Sequence, residues 1–248
     1  MTTVKNIFDY INKIAPYDNA EEWDNTGFLA GDFKKEVRRA VLSLDATKDA
    51  VSFAKGVGAD LLITHHPIIF NPVKNIKKGT ALYDVINSDI AVISSHTSFD
   101  KAQGGINDNL AMLLGLENTK RLDNGVVVAG DLQEEMSIDD FAVLVCEVLG
   151  THGLRYTDTD KLIKRAAVGG GACGEYIEEA MAVADCFVTA DMKYHQMLDA
   201  KENGYAVIDA GHFETENVPF LMLKERLEEI FTDVEFLIAP VENPVKEI

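Results

Sequence analysis

The sequence predicts an α/β fold made of two related, pseudo-duplicated lobes with mixed, mostly parallel sheets. Three observations predict it. Short apolar runs of strand length alternate with amphipathic stretches of helical period along the chain. The run before Thr64, Leu61-Leu62-Ile63, is apolar and rich enough in branched residues to be a buried strand. Part of the first half also returns in the second: Ala59-Asp60-Leu61-Leu62-Ile63-Thr64 resembles Ala184-Asp185-Cys186-Phe187-Val188-Thr189. Downstream, Ala91-Val92-Ile93 leads to His96 as Ala206-Val207-Ile208 leads to His212, and each His precedes a carboxylate by four residues, Asp100 and Glu216. Chance similarity between α/β units accounts for a strand match more easily than for paired His-x-x-x-acid spacings.

The elements follow in order. Val4, Ile7, Phe8, Ile11 and Ile14 recur at helical spacing and stop before Pro16. A polar loop over 19–27 holds the only tryptophan, in Glu22-Trp23-Asp24-Asn25-Thr26-Gly27. Residues 40–44 read as a strand and 47–55 as a helix capped by Thr47. Then come a strand at 61–63, a helix at 80–87, a strand at 90–94 and a helix at 106–114. Asp123-Asn124-Gly125 is a turn signal and sets the expected boundary between a first lobe, 1–124, and a second, 125–248, which share one site and interleave. In the second lobe 126–129 is a strand, and Ser137 opens a helix that Asp140 completes as a capping box. His152, between Gly150 and Gly153, reads as loop. Strands at 154–156 and 166–169 precede a helix at 175–183; a strand at 186–188 precedes a helix at 192–202. A strand at 206–209, a helix at 215–231 and a strand at 234–238 close the chain.

Composition narrows the function. The chain has 248 residues, 47% hydrophobic and 26% charged, the balance of a globular protein with a real core. No apolar run reaches membrane-span length, and the N-terminus leads into a helical pattern, so a cytoplasmic location is expected. A net charge of −18 argues against broad nucleic-acid binding, which relies on Lys and Arg. The three cysteines, Cys146, Cys173 and Cys186, share no close spacing. Cys146 and Cys186 read as core thiols, and with no Cys-x-x-Cys pair any metal would be held by nitrogen and oxygen.

Thr64-His65-His66-Pro67 is the most informative stretch. The two imidazoles sit where a buried strand gives way to a loop, the usual place for binding groups in an α/β sheet. His96 with Asp100 and His212 with Glu216 also follow strands, and a helical turn puts each i, i+4 pair on one face. Five residues, His65, His66, Asp100, His212 and Glu216, with His96 as a sixth, suit two borderline divalent ions with positions left for water. Zn, Fe, Mn, Co or Ni fit this ligand set better than Mg or Ca. Taken singly, each of these histidines reads as a hydrogen-bonded structural group; the adjacent pair with two spaced acids tips the balance.

These motifs resemble a known family. Trp23-Asp24-Asn25-x-Gly27, Thr64-His65-His66-Pro67, His96-x-x-x-Asp100 with Gly105-Ile106-Asn107-Asp108, and Ile208-Asp209-Ala210-Gly211-His212-x-Glu214-Thr215-Glu216 resemble the signatures of the Ngg-interacting-factor-three family. Its members are dinuclear metal-centre proteins, often labelled GTP cyclohydrolase I type 2 homologues. The resemblance covers nearly the whole chain, in the compact form without an inserted domain. It implies His65, His66, Asp100, His212 and Glu216 as metal ligands, Glu216 as the bridge, and His96 lining the site. It also implies two lobes facing a central metal cleft, a ring-shaped homohexamer, and metal-dependent hydrolysis of a nucleotide, with GTP ring opening the labelled activity.

Other segments offer further candidates. Gly169-Gly170-Gly171-Ala172-Cys173-Gly174 lies between a strand and a helix; Gly170 and Gly171 are assigned a substrate-facing role through amides that attract phosphate, with a tight turn as the plain alternative. It is no Walker loop, and no base marks Cys173 as a nucleophile. Asp191 and His195 fall on the repeat of the His pair; His195 is assigned a proton-shuttling role alongside His96, with a surface helix position as the alternative. Asp24 and Asn25 are assigned to substrate. Two function classes stay open: a dinuclear metal-dependent hydrolase, and a non-catalytic metal-binding oligomeric scaffold or metal-delivery protein.

Overall fold

A computed structural model describes residues 1–151 and 153–246. His152, read above as loop, lies outside the described residues. The chain divides into two compact units, Met1–Gln103 with Phe220–Glu242, and Gly104–Pro219 with Asn243–Ile248. Strands and helices are numbered along the whole chain.

The first unit contains α1 (Val4–Ile14), β1 (Gly27–Ala30), β2 (Arg39–Ser43), α2 (Lys48–Gly56), β3 (Leu61–Thr64), α3 (Ala81–Asn87), β4 (Ala91–Ser94) and the single turn α4 (Thr97–Asp100). It is completed late in the sequence by α10 (Leu223–Ile230) and β11 (Glu235–Ile238). Thr3 caps α1 in a reciprocal box with Asn6, and Thr47 and Thr80 accept the Ala50 and Tyr83 amides to start α2 and α3. Such side chains satisfy amides that the first helical turn leaves unpaired, for about 1 kcal/mol each. The sheet runs β1-β4-β3-β2-β11. All neighbours are parallel except β1, which pairs antiparallel with β4 at the edge. Ser43, Thr64 and Ser94 lie side by side at the carboxyl ends of β2, β3 and β4, so the loops that follow share one edge.

The second unit contains α5 (Ile106–Leu113), β5 (Glu117–Arg121), β6 (Val128–Met136), α6 (Ile138–Leu149), β7 (Arg155–Tyr156), β8 (Ile163–Val168), α7 (Ile177–Met181), β9 (Cys186–Thr189), α8 (Tyr194–Glu202) and β10 (Ala206–Asp209). Helix α9 (His212–Leu221) leads the chain out of it. Its sheet runs β5-β6-β8-β9-β10-β7, with β8, β9 and β10 parallel and β7 antiparallel on β10. The run β8-β9-β10-β7 therefore has the order and sense of β2-β3-β4-β1 in the first unit. Alternate residues of these strands pack on opposite faces. Val168, Val188 and Ile208 meet Leu110 of α5 and Phe141 of α6, while Ala167, Phe187 and Val207 meet Ala180 of α7 and Ala200 of α8. Burial on both faces explains why these strands read as continuous apolar runs.

Three sequence expectations change. The boundary expected at 124/125 lies instead at 103/104, because Leu110, Ala111 and Leu114 pack into the second unit's core. Asp123-Asn124-Gly125 is a turn, as expected, but it joins two antiparallel neighbours, β5 and β6, inside one sheet. The helix expected over 215–231 starts three residues earlier, at His212, and breaks at Met222 into α9 and α10. Pro219 lies inside α9, where it removes one amide and crowds the carbonyl four residues back. Among the described residues no helix is long and apolar enough to cross a membrane.

Candidate metal centre

In the first unit the donors come from the segments after β3 and β4, and the loop after β2 supplies a support, Asp45. The His pair is locked by its backbone: both amides donate to Leu44 O, and Thr64 Oγ1 donates to His66 O. His65 is fully buried, with its ring 5.6 Å from that of Phe220. One ring nitrogen from each of His65, His66 and His96 lies within 4.8 Å of the others, a cluster that could hold a metal ion. Asp100, at the end of α4, brings Oδ1 to 3.5 Å from His65 Nε2.

The tautomers follow from the partners of Nδ1. His65 Nδ1 faces the Ser95 carbonyl at 2.9 Å, His66 Nδ1 faces Asp45 at 2.8 Å, and His96 Nδ1 faces Asp24 at 2.9 Å. A carbonyl or carboxylate only accepts, so each Nδ1 carries a proton, and the lone pair of the neutral form lies on Nε2. A carbonyl or carboxylate behind the imidazole is the usual support of a metal-binding histidine. Asp24 is itself well held: its side chain is fully buried and accepts from Thr97 N (3.1 Å) and Thr97 Oγ1 (2.6 Å). Burial pushes its carboxyl up, but the hydrogen bonds from His96 and Thr97 outweigh this and hold it below the usual carboxylate range. It therefore stays ionised at neutral pH and keeps the proton on His96 Nδ1.

The second unit repeats the pattern. His212 opens α9, and its Nε2 lies 3.1 Å from Glu216 Oε2 one turn on. Behind it, His212 Nδ1 donates to Asp191 at 2.8 Å. With Nδ1 protonated, a lone pair on Nε2 facing a carboxylate oxygen at this distance needs a proton or a cation between them. Asp191 has φ +53°, a conformation few residues besides glycine, asparagine and aspartate accept. The adjacent Met192 amide donates to the buried Asp209 carboxylate, which Arg155 also binds, so the loop that presents Asp191 is fixed.

Glycine has a specific task here. A Cβ on Gly171 would lie 2.1 Å from Glu216 Oε1 and 3.3 Å from His212 Nε2. The Gly170 amide donates to Asn107 Oδ1 (2.7 Å) and the Gly171 amide to Thr215 Oγ1 (3.0 Å). The phosphate cradle expected of Gly170 and Gly171 is therefore corrected: both amides are used inside the protein, and the missing side chains make room for Glu216. Cys173, buried beside them, donates to Gly170 O through Sγ at 3.1 Å.

The sequence-assigned residues thus fall as follows. His65, His66, His96 and Asp100 assemble in the first unit, and His212 with Glu216 in the second. Asp24 backs His96, and Asn25 Nδ2 donates to Ile69 O at 2.5 Å, so both have protein partners. His195 is exposed on α8 and meets Tyr194, 5.4 Å between ring centroids; it is not among the clustered donors. Asp45 and Asp191 were missed as supports. For Asp45 the usable signal was an acid just beyond the strand next to the His pair.

Residues 2–244 match the model of the Duf34/NIF3 (NGG1p interacting factor 3) family. The chain belongs to the NIF3 family. Among NIF3 relatives, a Clostridium perfringens protein named GTP cyclohydrolase 1 type 2 homolog is 32% identical over 250 residues, covering 95% of each chain. Reduced HcgD from Methanocaldococcus jannaschii superposes with a TM-score of 0.85 at 30% identity over 97% of this chain and 98% of that one. A Bacillus cereus protein related to NIF3 shares the fold, with a TM-score of 0.92 at 24% identity over 100% of this chain and 99% of that one.

Supporting carboxylates give the first test of this NIF3 centre. Asp45→Asn keeps the size of the side chain but lets an amide nitrogen face His66 Nδ1, which turns the ring or its tautomer. Metal affinity should fall roughly 10- to 100-fold, the usual effect of losing such a support. Competition against a chromogenic chelator measures it, with circular dichroism to confirm the fold.

Proposed function

We propose that this protein is a dinuclear metal-dependent hydrolase acting on a nucleotide, with GTP ring opening of the cyclohydrolase type as the leading case. The ligands are His65, His66 and Asp100 of the first unit and His212 and Glu216 of the second. One observation carries the reading: His65 and His212 each have Nδ1 held by a backing acceptor and Nε2 opposed to a carboxylate, the donor set a divalent transition ion takes. The glycine cradle that a Cβ would fill beside Glu216 and His212 agrees with it. The family name borne by relatives supplies the nucleotide.

When bound, two such ions supply a nucleophilic water near neutral pH and polarise the group it attacks. The chain's own residues do the rest. His96, buried and with Nδ1 fixed by Asp24, offers Nε2 to take a proton from the attacking water and return it to the leaving nitrogen. His195, exposed on α8, is the second acid–base candidate of this reading. Assembly into a ring of six copies and a cytoplasmic setting belong to the same reading.

A nucleotide panel including GTP, offered to protein loaded with Zn, Mn, Fe, Co or Ni, tests it. Turnover should appear with at least one ion, vanish on chelation and return on reloading. Metal uptake without turnover under every ion would favour the delivery or scaffold reading.

A further inference from the structure

Trp23, the single tryptophan of the chain, is 59% exposed, yet it is not loosely held. It stacks on Phe70, itself 45% exposed, with centroids 5.8 Å apart and planes 23° off parallel. Both rings meet His96 near edge-on, at 5.9 Å and 73° for Trp23 and 5.7 Å and 69° for Phe70. Asn25 ties the Trp23 loop to Ile69 O, one residue before Phe70, and Asp24 ties it to His96 and Thr97. A fixed, exposed aromatic pair thus stands against a histidine of the candidate metal centre.

Glu22 and Asp24 flank Trp23, but the stretch around Phe70 is unusual in charge for this chain. Residues 61–83 contain no Asp or Glu, although the protein has 41 of them. The exposed loop that follows Phe70 carries Lys74, Lys77 and Lys78. In a molecule of net charge −18 this stretch favours an anion.

We propose that Trp23 and Phe70 are the ring-binding subsite for a purine nucleotide, with Lys74, Lys77 and Lys78 attracting its phosphates. The ring lies on the outer face of the pair, not between its members. Insertion would need roughly 7 Å, two carbon contacts of about 3.5 Å, more than the observed spacing. A π face accepts any planar base, and its contact with His96 places the bound ring beside the group assigned to proton transfer. The inference rests on the hydrolase reading for its choice of a nucleotide.

Trp23 is its own reporter, since no other tryptophan contributes fluorescence. GTP and guanosine should quench it saturably on metal-loaded protein, and inorganic triphosphate should not. By calorimetry, Trp23→Ala should weaken GTP binding roughly five- to hundredfold, with metal content and circular dichroism unchanged; Phe70→Ala should act in the same direction. A Lys74→Gln, Lys77→Gln, Lys78→Gln triple variant should weaken GTP but leave guanosine unmoved. Equal GTP affinity in wild type and Trp23→Ala would overturn the proposal. So would a fall in assembly mass on Trp23→Ala, which would make the pair a contact between copies. Quenching without turnover contradicts the hydrolase reading alone; turnover with KM indifferent to Trp23→Ala contradicts the subsite alone.

Discussion

Gly171→Ala should cost the protein most of its metal affinity in the second unit, by at least about a hundredfold, while leaving it folded. The alanine Cβ would stand 2.1 Å from Glu216 Oε1, so the carboxylate must swing away from His212. Losing a ligand's position should cost no less than losing a ligand's support, which already reaches about a hundredfold. The backbone adds a smaller penalty: Gly171 has φ +67°, where an L side chain costs on the order of 1–2 kcal/mol. Gly170→Ala is the control. Its Cβ would press on Ile106 Cγ2 at 2.9 Å and Thr215 O at 3.1 Å, so it should lower thermal stability more than metal affinity. Titration of both variants with Zn or Mn in competition with a chelator separates the two effects. Unchanged metal affinity in Gly171→Ala would remove Glu216 from the ligand set.

His96→Ala should keep the metals and lose turnover by about 10²- to 10⁴-fold, the usual contribution of a positioned acid–base group. The fold should survive, because the buried Asp24 carboxylate retains both hydrogen bonds from Thr97. Asp24→Asn should fall in the same direction by less, since it misplaces the proton of His96 without removing the ring. Elemental analysis beside kcat distinguishes the cases. If His96→Ala loses metal in proportion to activity, His96 is a ligand, as its ring-nitrogen distance to His65 and His66 also permits.

The α/β class and most elements were legible because the parallel strands are buried on both faces and announce themselves as apolar runs. Residues 206–209 form β10 with the limits expected, and Thr47 and Ser137 cap the helices expected of them. Strand β5, Glu117-Asn118-Thr119-Lys120-Arg121, was missed because it is an exposed polar edge with no apolar periodicity. The start of α9 was missed because residues 212–217, His-Phe-Glu-Thr-Glu-Asn, are mostly polar, so the apolar pattern begins only further along. The donors were legible as types at strand ends. Their supports were not: Asp45 and Asp191 act through Nδ1 of residues 21 positions away in each case, a pairing set by strand register. Gly171 likewise reads as a turn or a phosphate loop until Glu216 is seen occupying the space of its absent side chain.

Metal content by elemental analysis, joined to anomalous diffraction at the edge of the added ion, tests the central claim most directly. Two ions per chain should be found, ligated by His65, His66, Asp100, His212 and Glu216. Crystals saturated with Zn, Mn, Fe, Co or Ni that show no anomalous peak at these side chains, or ions held elsewhere, would contradict it.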